Sequence, residues 1–481
     1  MAIKKMESKL LTFEFKNDAL QDIKCNIEIE DDSHWNKILV TTLDSSIVKF
    51  QDMKEGRVTI SSKNLSGDSF KKIEFLGVSI RGFEMSWGDV AIVRFTMYPK
   101  EVFVTQSFDG IKRKRIATLN YYINKTPMFS PRIICSPDEH GNVKQRKGEV
   151  LTFETANGDV IKSDTLFTYH SKNGHFESDQ YQVLTTKIRK TNLIINKIIC
   201  DINPHVEDIM LMMSFLQDSK VHSVNWRVQY GNKMTWHYKS NNFKAHDIDN
   251  HRYNELIDRV YIKDFMSVAL KKYHTSSFRK EIKNSISSLS IRKKGYVELT
   301  FLSFFQAFES LVLSYKRSNG LEFIIDKATF ESLKKSIADT IKAELPLLKV
   351  QRGKIKNKLN ELNRLSLKES TEMFLTEFDV RIEDAWPLFD NKAQGVIGLS
   401  TIRNVLIHGD LLPSDQLINI AIALEHLRII LSRCIFCILG WDVSKTNISE
   451  EFLFRNHNLF DPKVRQSSIM EINDYFKTKN N

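Results

Sequence analysis

Three side chains late in the chain have the types and spacing of a proton-transfer site. In Ser400-Thr401-Ile402-Arg403-Asn404-Val405-Leu406-Ile407-His408-Gly409-Asp410, helical spacing sets Asn404 and His408 on one face as i and i+4 neighbours. Arg403 is rotated from Asn404 by about 100°. An imidazole can move a proton to or from a hydroxyl or a leaving oxygen, a guanidinium can balance charge developing on phosphate, and an amide can orient either one. That set suits phosphodiester cleavage without a metal. One imidazole does not obviously supply both an acid and a base, so the spacing predicts two copies related by a two-fold axis.

The surrounding residues predict where this trio sits. Leu399, Ile402, Val405 and Leu406 form the apolar stripe of an amphipathic helix, which leaves the polar residues at its margin. Gly409 and Pro413 end the helix, so His408 occupies the last turn, at the negative end of the helix dipole. Such trios also arise on ordinary amphipathic helices, so spacing alone does not establish catalysis.

A second candidate is the densest basic run, where Lys349, Arg352, Lys354, Lys356, Lys358, Arg364 and Lys368 stand against the single acid Glu361. A charge run on a helix is usually a solvated face. If it binds, Arg352, Lys354, Lys356 and Lys358 would track phosphates, with an affinity that falls as salt rises. Cys434 and Cys437 form a C-x-x-C inside an apolar helical run without a second pair or a His cluster nearby, the setting of buried structural thiols. Walker A, G-x-G-x-x-G, H-E-x-x-H and G-x-S-x-G motifs are absent from the sequence, and nothing in it calls for a cofactor or a metal.

The elements that must carry these residues change in kind along the chain. Strand-like runs fill the first ~240 residues, among them 10–16, 23–30, 56–62, 73–80, 90–98 and 101–108, with turn chemistry at Ser66-Gly67-Asp68 and Asn157-Gly158-Asp159. One helix, 205–220, interrupts them, and its Met residues suit a core. Beyond the polar stretch 241–255, read as a linker, the period becomes helical. Helices are predicted over 274–289, 296–317, 327–344, 350–365, 393–408 and 414–439, followed by a C-terminal tail from 446 to 481. The predicted class is α+β: a sandwich or barrel-like β-rich domain over 1–240, then an all-α bundle over 256–445.

At 481 residues the chain is long for a single core. Its composition, 42% hydrophobic and 27% charged with 9 Pro and 18 Gly, is that of a folded globular protein rather than a linker-rich one. A net charge of +11 favours polyanionic partners. Five scattered cysteines fit a reducing, cytoplasmic setting. The longest apolar stretch, Leu417 to Trp441, contains Glu425, His426, Arg428 and Arg433, so it reads as a buried helix and not a membrane span.

The phrase IRNVLIHGD resembles the R-x(4–6)-H signature of HEPN domains, with Asn404 at its polar position. The flanking helices 301–317 (FLSFFQAFESLVLSYKR) and 414–442, ending in LGW, make the order of elements look most like ApeA-type HEPN proteins. The resemblance covers residues 250–445. It implies a metal-independent endoribonuclease of antiphage defence acting by abortive infection, with 2′,3′-cyclic phosphate and 5′-hydroxyl products. It also implies Arg403, Asn404 and His408 as the catalytic set, RNA as substrate with tRNA one candidate, a homodimer, and a phage-derived trigger. Glu309 lies in the helix that often faces the motif but matches no fixed signature. Some HEPN domains are inactive, so a nucleic-acid-binding or scaffold protein is the competing expectation. A third reading, carbohydrate binding by the β-rich half, has only strand content and Trp226 and Trp236 in its favour.

Overall fold

A computed structural model describes residues 4–480 except 30–36, 62–69, 87–89, 108–115, 125, 132, 138–142, 156, 173–174, 190–193, 232, 240–254, 291–296, 345–348, 392 and 410–412. The chain is α+β, with a β-barrel and sheet region followed by a helical region. Two units divide it, one comprising 1–210 with 221–252 and the other 211–220 with 253–481. Most of the stretch read as a linker, and the turn at Ser66-Gly67-Asp68, lie outside the described residues.

In the first unit, alternation of apolar and polar residues builds long antiparallel strands. β1 (Lys4–Phe15), β2 (Asp18–Ile29), β3 (Ile38–Thr42), β4 (Gly56–Ser61), β5 (Phe70–Ser86) and β6 (Ile92–Tyr98) pair in the ring β1-β2-β3-β6-β5-β4 and back to β1. In β2, Ile23, Cys25, Ile27 and Ile29 all face inward, the period of two that a half-buried strand requires. Phe13, Val40, Val58, Phe75 and Phe95 fill the centre with no exposed area.

β5 serves both the barrel and the open half of one 13-stranded sheet. Its first half pairs with β7 (Glu101–Ser107) up to Leu76 and Glu101, and its second half pairs with β6 from Ser79 and Tyr98. The handover falls at Gly77, whose φ of +61° is a left-handed conformation that glycine adopts without strain. An added Cβ there would meet the Lys100 side chain at 2.9 Å. Beyond β7, the open half of the sheet runs through β15 (Lys233–Lys239), β14 (Ser223–Tyr230), β8 (Ile116–Ile123), β13 (His175–Arg189), β12 (Val160–Lys172) and β11 (Thr152–Glu154). A separate hairpin joins β9 (Ile133–Pro137) to β10 (Val143–Lys147).

One face of the open half carries Tyr121, Trp226 and His237, each no more than 3% exposed. A helical segment lies against it: α1 (Ile194–Lys197), a π turn over Ile198–Ile202, and α2 (Asn203–Leu216). The phenol of Tyr121 donates to Asn203 Oδ1 at 2.5 Å. The predicted helix 205–220 therefore ends earlier, at Leu216, and 211–220 groups with the second unit.

The second unit contains α3 (Ile262–Thr275), α4 (Arg279–Ser290), α5 (Val297–Ser318), α6 (Lys327–Glu344), α7 (Lys349–Leu359), α8 (Leu367–Glu377), α9 (Leu399–Ile407), α10 (Leu417–Ile438), α11 (Glu450–Asn456) and α12 (Pro462–Asn480). The segment 446–481, read as a tail, is thus largely helical; α12 packs on α10, and its Ile469, Ile472 and Phe476 are buried. The helix expected over 274–289 begins only at Arg279, as α4, after a break near Ser276, and α3 ahead of it is not among the expected helices. The helix expected over 350–365 stops at Leu359. α5 is long and apolar enough to cross a membrane, but Phe301, Phe304, Phe305, Phe308 and Leu311 are buried in the unit's core.

α10 is buried on nearly every side, and its charges are paired. Arg433 donates to both oxygens of Asp384, at 2.5 and 2.7 Å, and to the carbonyls of Ile448 and Arg381. Arg428 reaches Glu425 at 2.7 Å and Asp218 at 3.3 Å.

His426 on the same helix is fully buried, with its ring centroid 4.4 Å from that of Phe460. Burial, aided by the Arg465 guanidinium and opposed by the Leu459 backbone, Asp384 and Glu425, pulls its pKa from 6.5 to about 4. With the folded value depressed, the unfolded chain binds the proton first. Its contribution to stability is intact above pH 6.5 and is lost as pH falls toward 4. The loss is on the order of 3 kcal/mol. Chemical unfolding of the helical unit at pH 7 and at pH 4.5 should show this loss in the parent and a flatter profile in His426→Leu. An equally steep acid loss in the variant would exclude His426 as its source.

Candidate active site

α9 is short, and its position is set by contacts ahead of its first turn. The Asp390 carboxylate accepts from Gly398 N–H at 2.7 Å, a donor that the helix start leaves open, and from the Thr401 side-chain hydroxyl at 2.9 Å. Leu399 and Ser400 N–H donate to the carbonyls of Pro387 and Leu388. Buried Trp386 donates through Nε1 to Ile397 O at 3.0 Å, and Asn473 on α12 brackets the same turn through Ile397 N–H and Gly395 O. Gly398 lies so close to Phe389 that a Cβ would sit 2.4 Å from its carbonyl carbon.

These contacts explain why the helix expected from 393 begins only at Leu399. Residues 393–395 form a turn flanked by an Asn391–Val396 bridge, with Gly395 at φ +63°.

Leu399 and Ile402 are buried, while Val405 and Leu406 are only half-buried. The margin of this stripe carries the expected trio. Arg403 donates through Nη2 to Glu309 Oε2 at 2.9 Å and through Nη1 to Asn404 Oδ1 at 2.9 Å. Its guanidinium carbon lies 5.9 Å from the centroid of the Phe305 ring. Phe305 and Glu309 are i and i+4 on α5, so one face of that helix provides both the aromatic surface and the carboxylate. Arg403 side chain is 29% exposed and that of Glu309 16%. A guanidinium has five N–H donors, and with two engaged here, donors remain for an oxyanion.

His408 is the residue on which the helix ends. Its N–H donates to Asn404 O at 3.1 Å, and Gly409 follows at φ +84°, the left-handed conformation that stops a helix. The imidazole is exposed and, among the described residues, makes no hydrogen bond or ion pair. Asp410 lies outside the described residues. The structure thus joins Arg403 directly to Asn404 and leaves His408 one turn away on open surface.

Glu309 is the site residue that spacing could not assign. The resemblance places it in the helix that often faces the motif without matching it to a signature, and locally it is a carboxylate one turn after Phe305 in a mostly apolar helix.

The other candidates lie apart from this cluster in role. Lys354 and Lys358 are exposed on α7, and the side chains of Arg352 and Lys356 lie outside the described residues. Cys434 is fully buried, which pushes its thiol pKa well up, and burial together with Asp379 pushes Cys437 up to about 11. Both thiols stay protonated at neutral pH and are poor nucleophiles or metal ligands. A cleft of about 1100 Å³ lined by Asp384, Arg433, Trp441 and Phe454 includes none of the trio.

Comparison with known proteins returns nothing: no family model, no curated protein and no solved structure matches the chain.

Replacing Asp390 by Ala should lower stability by about 1–2 kcal/mol, the usual cost of losing a helix cap with a charged acceptor. Hydrogen exchange should show faster opening of the amides at 399–404, with Asp390→Asn in between. Unchanged protection of those amides would mean that Asp390 does not hold α9.

Proposed function

We propose that this protein is a metal-independent endoribonuclease of the HEPN type, active as a homodimer in the cytoplasm. The observation that carries the reading is the placement of Arg403: its guanidinium is held by Glu309, Asn404 and Phe305, one turn from an exposed imidazole. A fixed cation beside a free proton carrier is what RNA cleavage by internal transesterification needs.

In this mechanism the His408 imidazole of one copy accepts the proton of the 2′-hydroxyl. The 2′-oxygen attacks phosphorus, and the bond from phosphorus to the 5′-oxygen breaks. Protonated His408 of the second copy delivers a proton to that leaving oxygen. The products are a 2′,3′-cyclic phosphate and a 5′-hydroxyl, and the two imidazoles end with their protonation exchanged. The free donors of Arg403 stabilise charge on the nonbridging oxygens. Asn404, which accepts from Arg403, orients the guanidinium and is placed to contact the ribose or phosphate.

Exposed apolar residues beside the turn, Ile407 at 52% and Ile418 at 73%, support a second copy on this surface, since an isologous interface would cover them. By resemblance, the role is antiphage defence through abortive infection, with tRNA among the candidate RNAs. The β-rich unit would sense a phage-derived trigger or restrain the helical unit.

A second reading, an inactive nucleic-acid-binding scaffold, draws on α7, whose sequence KVQRGKIKNKL has no acid. In it, Arg352, Lys354, Lys356 and Lys358 bind phosphates while the helical unit only dimerises.

Purified protein incubated with total RNA in EDTA should cut it and leave cyclic phosphate ends. His408→Ala should reduce cleavage by about 10²-fold or more while RNA binding and dimerisation persist. Equal cleavage by His408→Ala, or cleavage only with added Mg²⁺, would overturn the proposal.

A further inference from the structure

The open half of the sheet has a second face whose side chains do not suit plain solvent exposure. Residues paired directly across antiparallel strands share a face. The pairs Arg227 with Trp236, Asn225 with Tyr238, Asn225 with Tyr122, and Val183 with Tyr122 therefore define one surface, on which Tyr181 stands two residues from Val183. It is the reverse of the face carrying Tyr121, Trp226 and His237, against which α2 lies. This face carries three tyrosines and a tryptophan around a fully buried Val183, and it opens to solvent at Tyr181.

These side chains are arranged from buried to open. Trp236 and Tyr238 pack against the apolar residues of the barrel. Tyr122 is half-buried, and Tyr181 is 39% exposed. The Tyr122 and Tyr181 rings meet edge to face at 5.8 Å. Arg227 places its guanidinium 5.7 Å from the centroid of the Tyr122 ring, and its Nε is buried without a hydrogen-bond partner.

The register also gives the face its charge. Lys162 lies opposite Thr185, and Lys187 and Arg189 continue on the same side of β13. All three are exposed. The acids sharing the face on β11 and β12 are Glu154 and Asp164, and Asp164 accepts from Thr165 N–H at 2.7 Å.

We propose that this aromatic and basic face of the β-rich unit docks single-stranded RNA, with Tyr181 and Tyr122 stacking on bases and Arg227, Lys162 and Lys187 meeting the backbone. Aromatic rings on a sheet accept any base through its π face, and flanking cations supply salt-dependent attraction to phosphate. The cations favour a polyanion over a neutral sugar, which would need the rings alone. The choice of RNA over DNA rests on the ribonuclease reading; the docking surface itself does not.

The test is fluorescence anisotropy of a labelled 12-nucleotide single-stranded RNA with full-length protein carrying His408→Ala, so that cleavage does not intervene. Tyr181→Ala should weaken binding by about tenfold, and Tyr181→Phe, which keeps the ring, should restore it. The pair Lys162→Gln and Lys187→Gln should reduce the slope of log affinity against log salt by about 1 for each charge removed. Circular dichroism should show each variant folded, since the substituted side chains are exposed.

Parental affinity in Tyr181→Ala, equal loss in Tyr181→Phe, or no RNA binding by the parent would overturn the proposal. So would binding of a neutral oligosaccharide in place of RNA. Cleavage by protein with His408 intact is scored separately, so ribonuclease activity can fail while this face still binds, or stand while it does not.

Discussion

A helix buried along most of its length must find a partner for every charge in that stretch, and the helical unit is organised around that demand. Arg428 and Arg433 lie in the interior of α10, where an unpaired guanidinium would be prohibitively costly. Asp384 meets Arg433 with two oxygens, and the carbonyls of Arg381 and Ile448 take two more of its donors. This network draws the 381–384 turn and the segment before α11 onto the same helix. Asp384 begins the stretch through Trp386 and Asp390 that ends in the cap of α9. The position of the candidate site is therefore tied to the charges buried in the core.

From that core outward, α5 links packing to chemistry. Its phenylalanines fill the space beside α10, and its next turn offers Glu309 to Arg403. One helix thus settles both where the guanidinium sits and which way it points. A partly exposed ion pair of this kind adds little to stability; its value is orientation. The imidazole is placed differently, because His408 ends its helix at the exposed surface.

The β-rich unit solves a separate problem, that of edges. Closing six strands into a barrel removes them, and the double pairing of β5 at Gly77 lets the same sheet continue as an open half. The two faces of that half are unlike, one lying against α2 and the other left with tyrosines and lysines. The alternation visible in β2 and β6 is local and readable by inspection. The change of partner at Gly77 depends on strands that arrive from elsewhere in the chain, so no local pattern marks it.

Residue pattern alone specifies the α+β class, the order of β-rich and helical regions, and the apolar stripe of α9 with Arg403, Asn404 and His408 at its margin. Each is a matter of period or neighbouring residue type, properties carried within a few turns or strands. Tertiary structure decided the closed barrel, the late start of α9 at Leu399, and the pairing of Arg403 with Glu309, 94 positions away in the chain. It also made helices of the segment read as a tail, because α12 is held by the buried surface it shares with α10 and has little helical amphipathicity of its own. These outcomes arise from contacts between distant residues, and their energy exists only once the chain has brought those residues together.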